Sequence, residues 1–432
     1  MILNVGYRAD VRKRRWWRLT IVACVVLLLG AGVVVVAAVR WTPTCPALVP
    51  RGVTPDTAMT GAFATYGDHA TGPQWAAGDG THSVRLPDGR TLWIFDDTLL
   101  GPVLPPDLTH PAVWSPPGSP GVANSAVLQS GTRLTRTLIG ATTPPASWIP
   151  GEHQDGEWNW PTSALIDTDD GHRGLRVLAH HTADAGGGFV FGAGRSTLVR
   201  TYTLPALRLA GETTLPIPTG GDGDRVLYGT SAIQDARYFY VYGNTAPATG
   251  RAALYLARIP RGALADPAAW RYWNAGRWRT SPSAARPLPA VHDDIAPIST
   301  GFSVVRQGRT YVLFSMRTDP GADIVGEITA SWACTPAGAR HHAISVYRPP
   351  EVRNGGRTRS MIADNPQVHP EQGTATGISL SYDINDAAGM NGLANVKNDL
   401  SLYRPRFLRV RLGSPPTSPA PGHAATPGSA HR

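Results

Sequence analysis

The sequence predicts an all-β fold, a five-bladed β-propeller carried on an N-terminal transmembrane helix. Three observations lead there. Gly and Pro number 47 and 39 of 432 residues, about a fifth of the chain, which favours short strands and tight turns over helices. Apolar runs of strand length recur in sets roughly 50–70 residues apart. An uncharged apolar run of 21 residues, Leu19 to Val39, stands before all of them.

At 1.5 Å per residue that run spans roughly 30 Å, the thickness of a bilayer core. Residues 1–18 form a basic arm with six Arg or Lys against Asp10 alone, and Trp16 and Trp17 stand at the interface. That asymmetry keeps the arm inside and puts everything after Arg40 outside, a single-pass cell-membrane protein with an extracytoplasmic C-terminal domain. A cleaved signal peptide ending near Ala38 is the competing reading. The net charge of +9 owes much to the arm. The remainder shows no basic stripe interleaved with aromatics, which argues against nucleic acid as a partner. Cys24 lies within the apolar run, leaving Cys45 and Cys334 to pair in an oxidising compartment.

Residues 40–60 read as a Pro/Thr linker, 61–413 as the propeller domain, and 414–432 as a disordered Pro/Ser/Ala tail. Within the domain five sets of strands emerge. The first holds Asp79–Phe95, Asn124–Gln129 and Leu134–Ile139. The second holds Thr162–Asp167, Leu175–Ala179 and Thr197–Tyr202. The third holds Leu227–Gln234, Tyr238–Gly243 and Ala252–Ile259. The fourth holds Ile298–Arg306, Thr310–Met316 and His342–Tyr347, and the last Thr376–Tyr382 and Phe407–Leu412. Such a series suggests blades round a central channel, with a pair of two-sheet sandwiches as the alternative.

The stretch Gly78 to Gly101, GDGTHSVRLPDGRTLWIFDDTLLG, reads as a hairpin. Ser83–Leu86 meets a Pro87-Asp88-Gly89 turn, and Thr91–Phe95 returns. Antiparallel pairing brings Asp79 beside Asp96 and Asp97, at one mouth of the fold; plain turn closure is the other meaning of these acids.

The predicted blade starts supply Asp79, Glu157, Tyr228, Asp293, Asp294 and Glu371, accompanied by Trp158, Asn159, Trp160, His292 and His369. Glycoside cleavage needs one acid to protonate the leaving oxygen and another as base or nucleophile, with aromatic faces for sugar rings. Asp79 is expected as base or nucleophile and Glu157 or Asp294 as acid. Asp97, the Trp158-Asn159-Trp160 run, Tyr228, His292 and Glu371 are expected to bind substrate. No cofactor and no metal motif is called for. Ca²⁺ at His292–Asp294 and His369 is the weaker alternative, and no Walker loop, H-E-x-x-H or G-x-S-x-G is present.

GDGTHSVRLPDGRTLWIFDDTLLG, ANSAVL, WNWPTSALID, ARIPRGALADPAAWRYWNAGRW and ISLSYDIN…YRPRFLRVRL resemble a group of bacterial exported β-propeller proteins. These are similar in turn to the family that includes mycobacterial endo-D-arabinanases, glycoside hydrolases of cell-envelope arabinan. The resemblance covers roughly residues 60–412. It implies five blades and a furanoside-rich envelope polysaccharide as partner. Asp79 falls on the first-blade aspartate used there as base or nucleophile. Asp97 falls on the Asp of a Phe-Gly-Asp-Thr pattern whose Gly is Asp96 here, and Trp160-Pro161 matches a common Trp-Pro pair. No residue carries over as proton donor. A non-catalytic carbohydrate-binding or envelope scaffold propeller is the second reading.

Overall fold

A computed structural model describes residues 45–114, 121–169, 171–184, 193–219, 225–245, 252–291, 298–318, 325–355, 360–374, 377–388 and 390–414. The N-terminal arm, the apolar run 19–39 and the tail 415–432 lie outside the described residues. Among the described residues no helix is long and apolar enough to cross a membrane. Cys45 and Cys334 are both disulfide-bonded.

From Pro46 onward the described residues form five antiparallel sheets of four or five strands, with smaller ones beside them. The first sheet runs His82–Arg85, Thr91–Phe95, Ser125–Ser130, Arg133–Leu138. The inner strand of each sheet neighbours that of the next. His82–Arg85 lies beside Glu157–Asp169, then Val226–Gln234, Phe302–Gln307 and Met361–Val368 follow. Local pairing of consecutive strands within each sheet, with inner strands set in sequence, is the arrangement of a β-propeller.

The second sheet continues through His172–Ala183, Ala193–Thr203 and Leu209–Pro216, and the fourth through Thr310–Thr318, Val325–Ala333 and Ile344–Tyr347. The third adds a hairpin, Arg271–Asn274 and Arg277–Arg279, beyond its ordinary strands. Leu209–Pro216, this hairpin, Val325–Ala333 and Met361–Val368 are absent from the sequence-based sets.

The last sheet is closed by the start of the chain. Its order is Met361–Val368, Ile378–Asp386, Arg406–Gly413 and, outermost, Val49–Pro55. Residues 40–60 are therefore not simply a linker. Pro50 and Pro55, which suggested one, are tolerated because an outermost strand leaves one row of amides unpaired in any case. A helix, Thr57–Asp68, follows at once, with Asp56 as its N-cap accepting the Met59 N–H at 3.1 Å. The Asp56 carboxylate also takes Arg409 Nε at 2.7 Å, so the cap is tied to the last sheet.

The helix buries Phe63 among Trp75, Trp93, Phe95 and Phe407. Phe63 stacks on Phe407 at 5.3 Å and meets Trp93 edge-on at 5.1 Å, joining the first sheet to the last.

Candidate active site

At one end of the first sheet two backbone bonds close the predicted hairpin mouth. Asp96 N–H donates to the Asp79 carbonyl at 2.9 Å, and Asp79 N–H to the Asp97 carbonyl at 3.4 Å. Gly80 makes the turn with φ +63°, a conformation that costs any L side chain. A Cβ there would also run into the Asp96 carboxyl group. Gly80→Ala is therefore expected to push Asp96 out of place and cost about 1–3 kcal/mol, read as a lower urea midpoint.

The last sheet brings two further acids. Asp364 on the inner strand pairs in register with Asp383 on the next. The register then slips between Asp364 and Gln367, where Asn365 adopts φ +46° against Gly301. Across the seam between sheets, Thr81 donates its hydroxyl to Asp383 Oδ1 at 2.8 Å and its N–H to Oδ2 at 3.3 Å. The Tyr403 hydroxyl donates to Asp79. On the rim, Asp97 Oδ1 accepts Trp160 Nε1 at 2.9 Å and lies 2.6 Å from His153 Nε2.

Packed like charges set the electrostatics. Burial first, then Asp97, Asp383 and Asp364, drives the Asp79 pKa well above the carboxylate range, and the Tyr403 bond draws it back in part. Asp96 rises in the same way, by burial and then Asp79. Burial and Asp383 take Asp364 to about 8. Burial takes Asp383 to about 7, with the Thr81 bonds opposing. Burial alone would lower His153, but the Asp97 bond and charge outweigh it and raise its pKa. His82 and His180, by contrast, are held neutral by burial, at about 3 and about 4.

A carboxyl whose folded pKa is raised stabilises the fold fully only below its unfolded value. That contribution is lost as pH rises through the folded pKa. For Asp364 and Asp383 the window runs from about 4 to about 8. Asp364→Asn is expected to melt about 2–5 °C above wild type at pH 8, and close to it at pH 4, in calorimetric scans at both pH values.

The structure distributes the other predicted site residues unevenly. Glu157 stands at the rim, its side chain 63% exposed and 3.6 Å from His181 Nε2. Trp158 is buried against His153, at 4.2 Å between rings, and Asn159 is buried and bonded to His181 Nδ1 at 3.1 Å. Tyr228 is not at the mouth. Gly229, at φ +112°, and a register shift before Ser231 turn the backbone there, and Tyr228 packs in the core against Trp270 and Tyr272.

Glu371 is also misplaced by the sequence reading. It follows the end of the inner strand Met361–Val368, so it belongs to the opposite end of that strand from Met361, near Arg85. His369 lies between Trp93 and Phe407, bonded to Ser83 at 2.6 Å and Ser381 at 2.9 Å, which removes it from any channel Ca²⁺ site. His292, Asp293 and Asp294 lie outside the described residues.

Sequence reasoning missed Asp364, Asp383, Tyr403 and His153. Asp383 carried a signal, an acid inside the apolar run ISLSYDIN. Asp364 had none, because Asn365-Pro366 reads as a strand breaker.

In fold, the chain is similar to a proposed hydrolase from Bacteroides ovatus ATCC 8483, with a TM-score of 0.63 and 17% identity over 86% of this chain and 96% of that one. It is more distantly similar to an α-L-arabinofuranosidase from Lactobacillus brevis (TM-score 0.43, 12% identity, 80% of this chain and 95% of that one). An exo-β-1,3-galactanase from Phanerochaete chrysosporium gives a TM-score of 0.41 and 11% identity over 77% of this chain and 60% of that one. No curated protein sequence matches the chain. The family profile described as a domain of unknown function, DUF5005, matches residues 62–412.

Proposed function

The chain belongs to the DUF5005 family, and from that premise and the acid cluster we propose a glycoside hydrolase built on a five-bladed propeller. Its substrate is a furanoside-rich, arabinan-like polysaccharide of the cell envelope. The protein acts on the outer side of the membrane, tethered by residues 19–39. One observation carries this reading: desolvated carboxyl groups from the first and last sheets meet where Asp79, Asp96, Asp364 and Asp383 perturb one another. Crowded carboxyls cannot all ionise, so a proton and a negative charge coexist there near neutral pH. Glycosidic cleavage consumes that combination.

Asp79, whose rise the Tyr403 hydroxyl bond opposes, is the group that meets the anomeric carbon directly or through water, in its ionised form. Trp160 and His153 fix Asp97 at the rim and offer ring faces to a sugar. Glu157 stays exposed at the rim, with His181 as its partner.

The test is reducing-end release by the full-length protein from arabinan, galactan and xylan. Release from arabinan supports the reading, and release from xylan or galactan alone moves the substrate class. Glycan binding without release from any of them would replace it with a non-catalytic carbohydrate-binding propeller.

A further inference from the structure

We infer that Asp364 is the proton donor of this site, the group that protonates the leaving oxygen. The inference rests on the hydrolase reading and supplies the residue which that reading leaves open. The five aspartates divide by their hydrogen-bond donors. Asp97 accepts from Trp160 and lies against His153, Asp383 accepts twice from Thr81, and Asp79 receives the Tyr403 hydroxyl. Donors of this kind steady a negative charge. Asp96 and Asp364 differ. In each, a buried Oδ1 has no hydrogen-bond partner among the described residues. An ionised carboxylate with an unserved buried oxygen is costly beside like charges, and a neutral carboxylic acid is not.

Geometry chooses between the two. The Asp96 carboxyl is packed against Gly80, so closely that a Cβ on that glycine would collide with it. Asp364, partly buried like Asp96, stands on the inner strand of the last sheet. The bulge after it, with Asn365 at φ +46° lodged against Gly301, fixes its backbone. The charged or titratable groups around it are Asp383 across the strand pair, Asp79 and Asp96 from the first sheet's mouth, and Tyr403. None of these is a cation, and the one opposing influence is a hydrogen bond from its own backbone N–H.

In the step, the proton passes from the Asp364 carboxyl to the glycosidic oxygen as the bond from that oxygen to the anomeric carbon breaks. The bonding pair stays on the oxygen, which leaves as an alcohol. The anomeric carbon gains its new bond from an Asp79 oxygen, or from a water that gives its proton to Asp79.

The experiment compares full-length wild type, Asp364→Asn and Asp364→Glu on arabinan and on 2,4-dinitrophenyl arabinofuranoside, whose leaving group needs no proton. Asp364→Asn is expected to lose about 100-fold or more in kcat/KM on arabinan, less than about tenfold on the aryl glycoside, and the alkaline limb of its pH profile. Asp364→Glu, which keeps a titrating carboxyl, is expected to retain that limb. Difference infrared spectra at pH 7 are expected to lose a protonated-carboxyl band in Asp364→Asn. Equal losses on both substrates, an unchanged rate on arabinan, or an unchanged band would overturn the assignment while leaving an active wild type as a hydrolase. A wild type silent on both substrates would instead overturn the hydrolase reading together with the assignment.

Discussion

Asp79→Asn is expected to lower arabinan hydrolysis by about 10²–10⁴-fold and to raise the melting temperature. The amide keeps the shape of the side chain and the Tyr403 contact but cannot attack or accept a proton. It also removes one charge from a group that includes Asp97, Asp383 and Asp364, each of which pushes the Asp79 pKa up. Residues kept for packing lose stability when changed, and residues kept for chemistry often gain it. The sign of the stability change therefore separates the two roles. The gain should be largest at pH 8 and vanish near pH 4, where the unfolded chain also holds its protons. Release assays and scanning calorimetry on one preparation decide it. A variant as active as wild type would remove Asp79 from the mechanism, and one that melts far lower would make it structural.

The legible half of this site is the half made by local pairing. The hairpin Gly78–Gly101 places Asp79, Asp96 and Asp97 together through turn chemistry within two dozen residues, and sequence periodicity reports such contacts directly. The other half depends on a sheet hundreds of residues away. Its inner strand is broken by a bulge at Asn365-Pro366, so pattern reading discards the strand and with it Asp364. Glu371 then stands in for a blade start that lies further upstream. Tyr228 fails for a related reason, since two extra residues, Gly229 and Thr230, interrupt the strand pairing directly after it. The edge strand Val49–Pro55 reads as a linker because its prolines are compatible with either role.

Phe63→Ala is expected to cost about 3–5 kcal/mol, the largest stability loss from a single truncation that we foresee. Phe63 is fully buried and touches four aromatic rings, from Trp75, Trp93, Phe95 and Phe407. Met59 and Tyr66 of the same helix pack against this cluster and are only partly buried. Arg404, buried and paired with Asp68 at 2.7 Å, holds the same helix from its other end and gives it no freedom to slide inward. Urea melts of the variant should show a lower midpoint with an unchanged slope. A change under 1 kcal/mol would mean that the helix contributes little to closing the sheets.

That closure has a kinetic consequence. Val53 pairs with Val410, and Thr81 with Asp383, so the contacts that join the ends of the ring span some 300 residues or more of chain. Loop-closure entropy makes such contacts late, after sheets assembled from neighbouring strands have formed. Until then Asp364 and Asp383 are apart from Asp79 and Asp96, and the carboxyl groups perturb one another only within each pair. The full acid cluster is thus a property of the closed ring alone, and an open ring carries it as two separate halves.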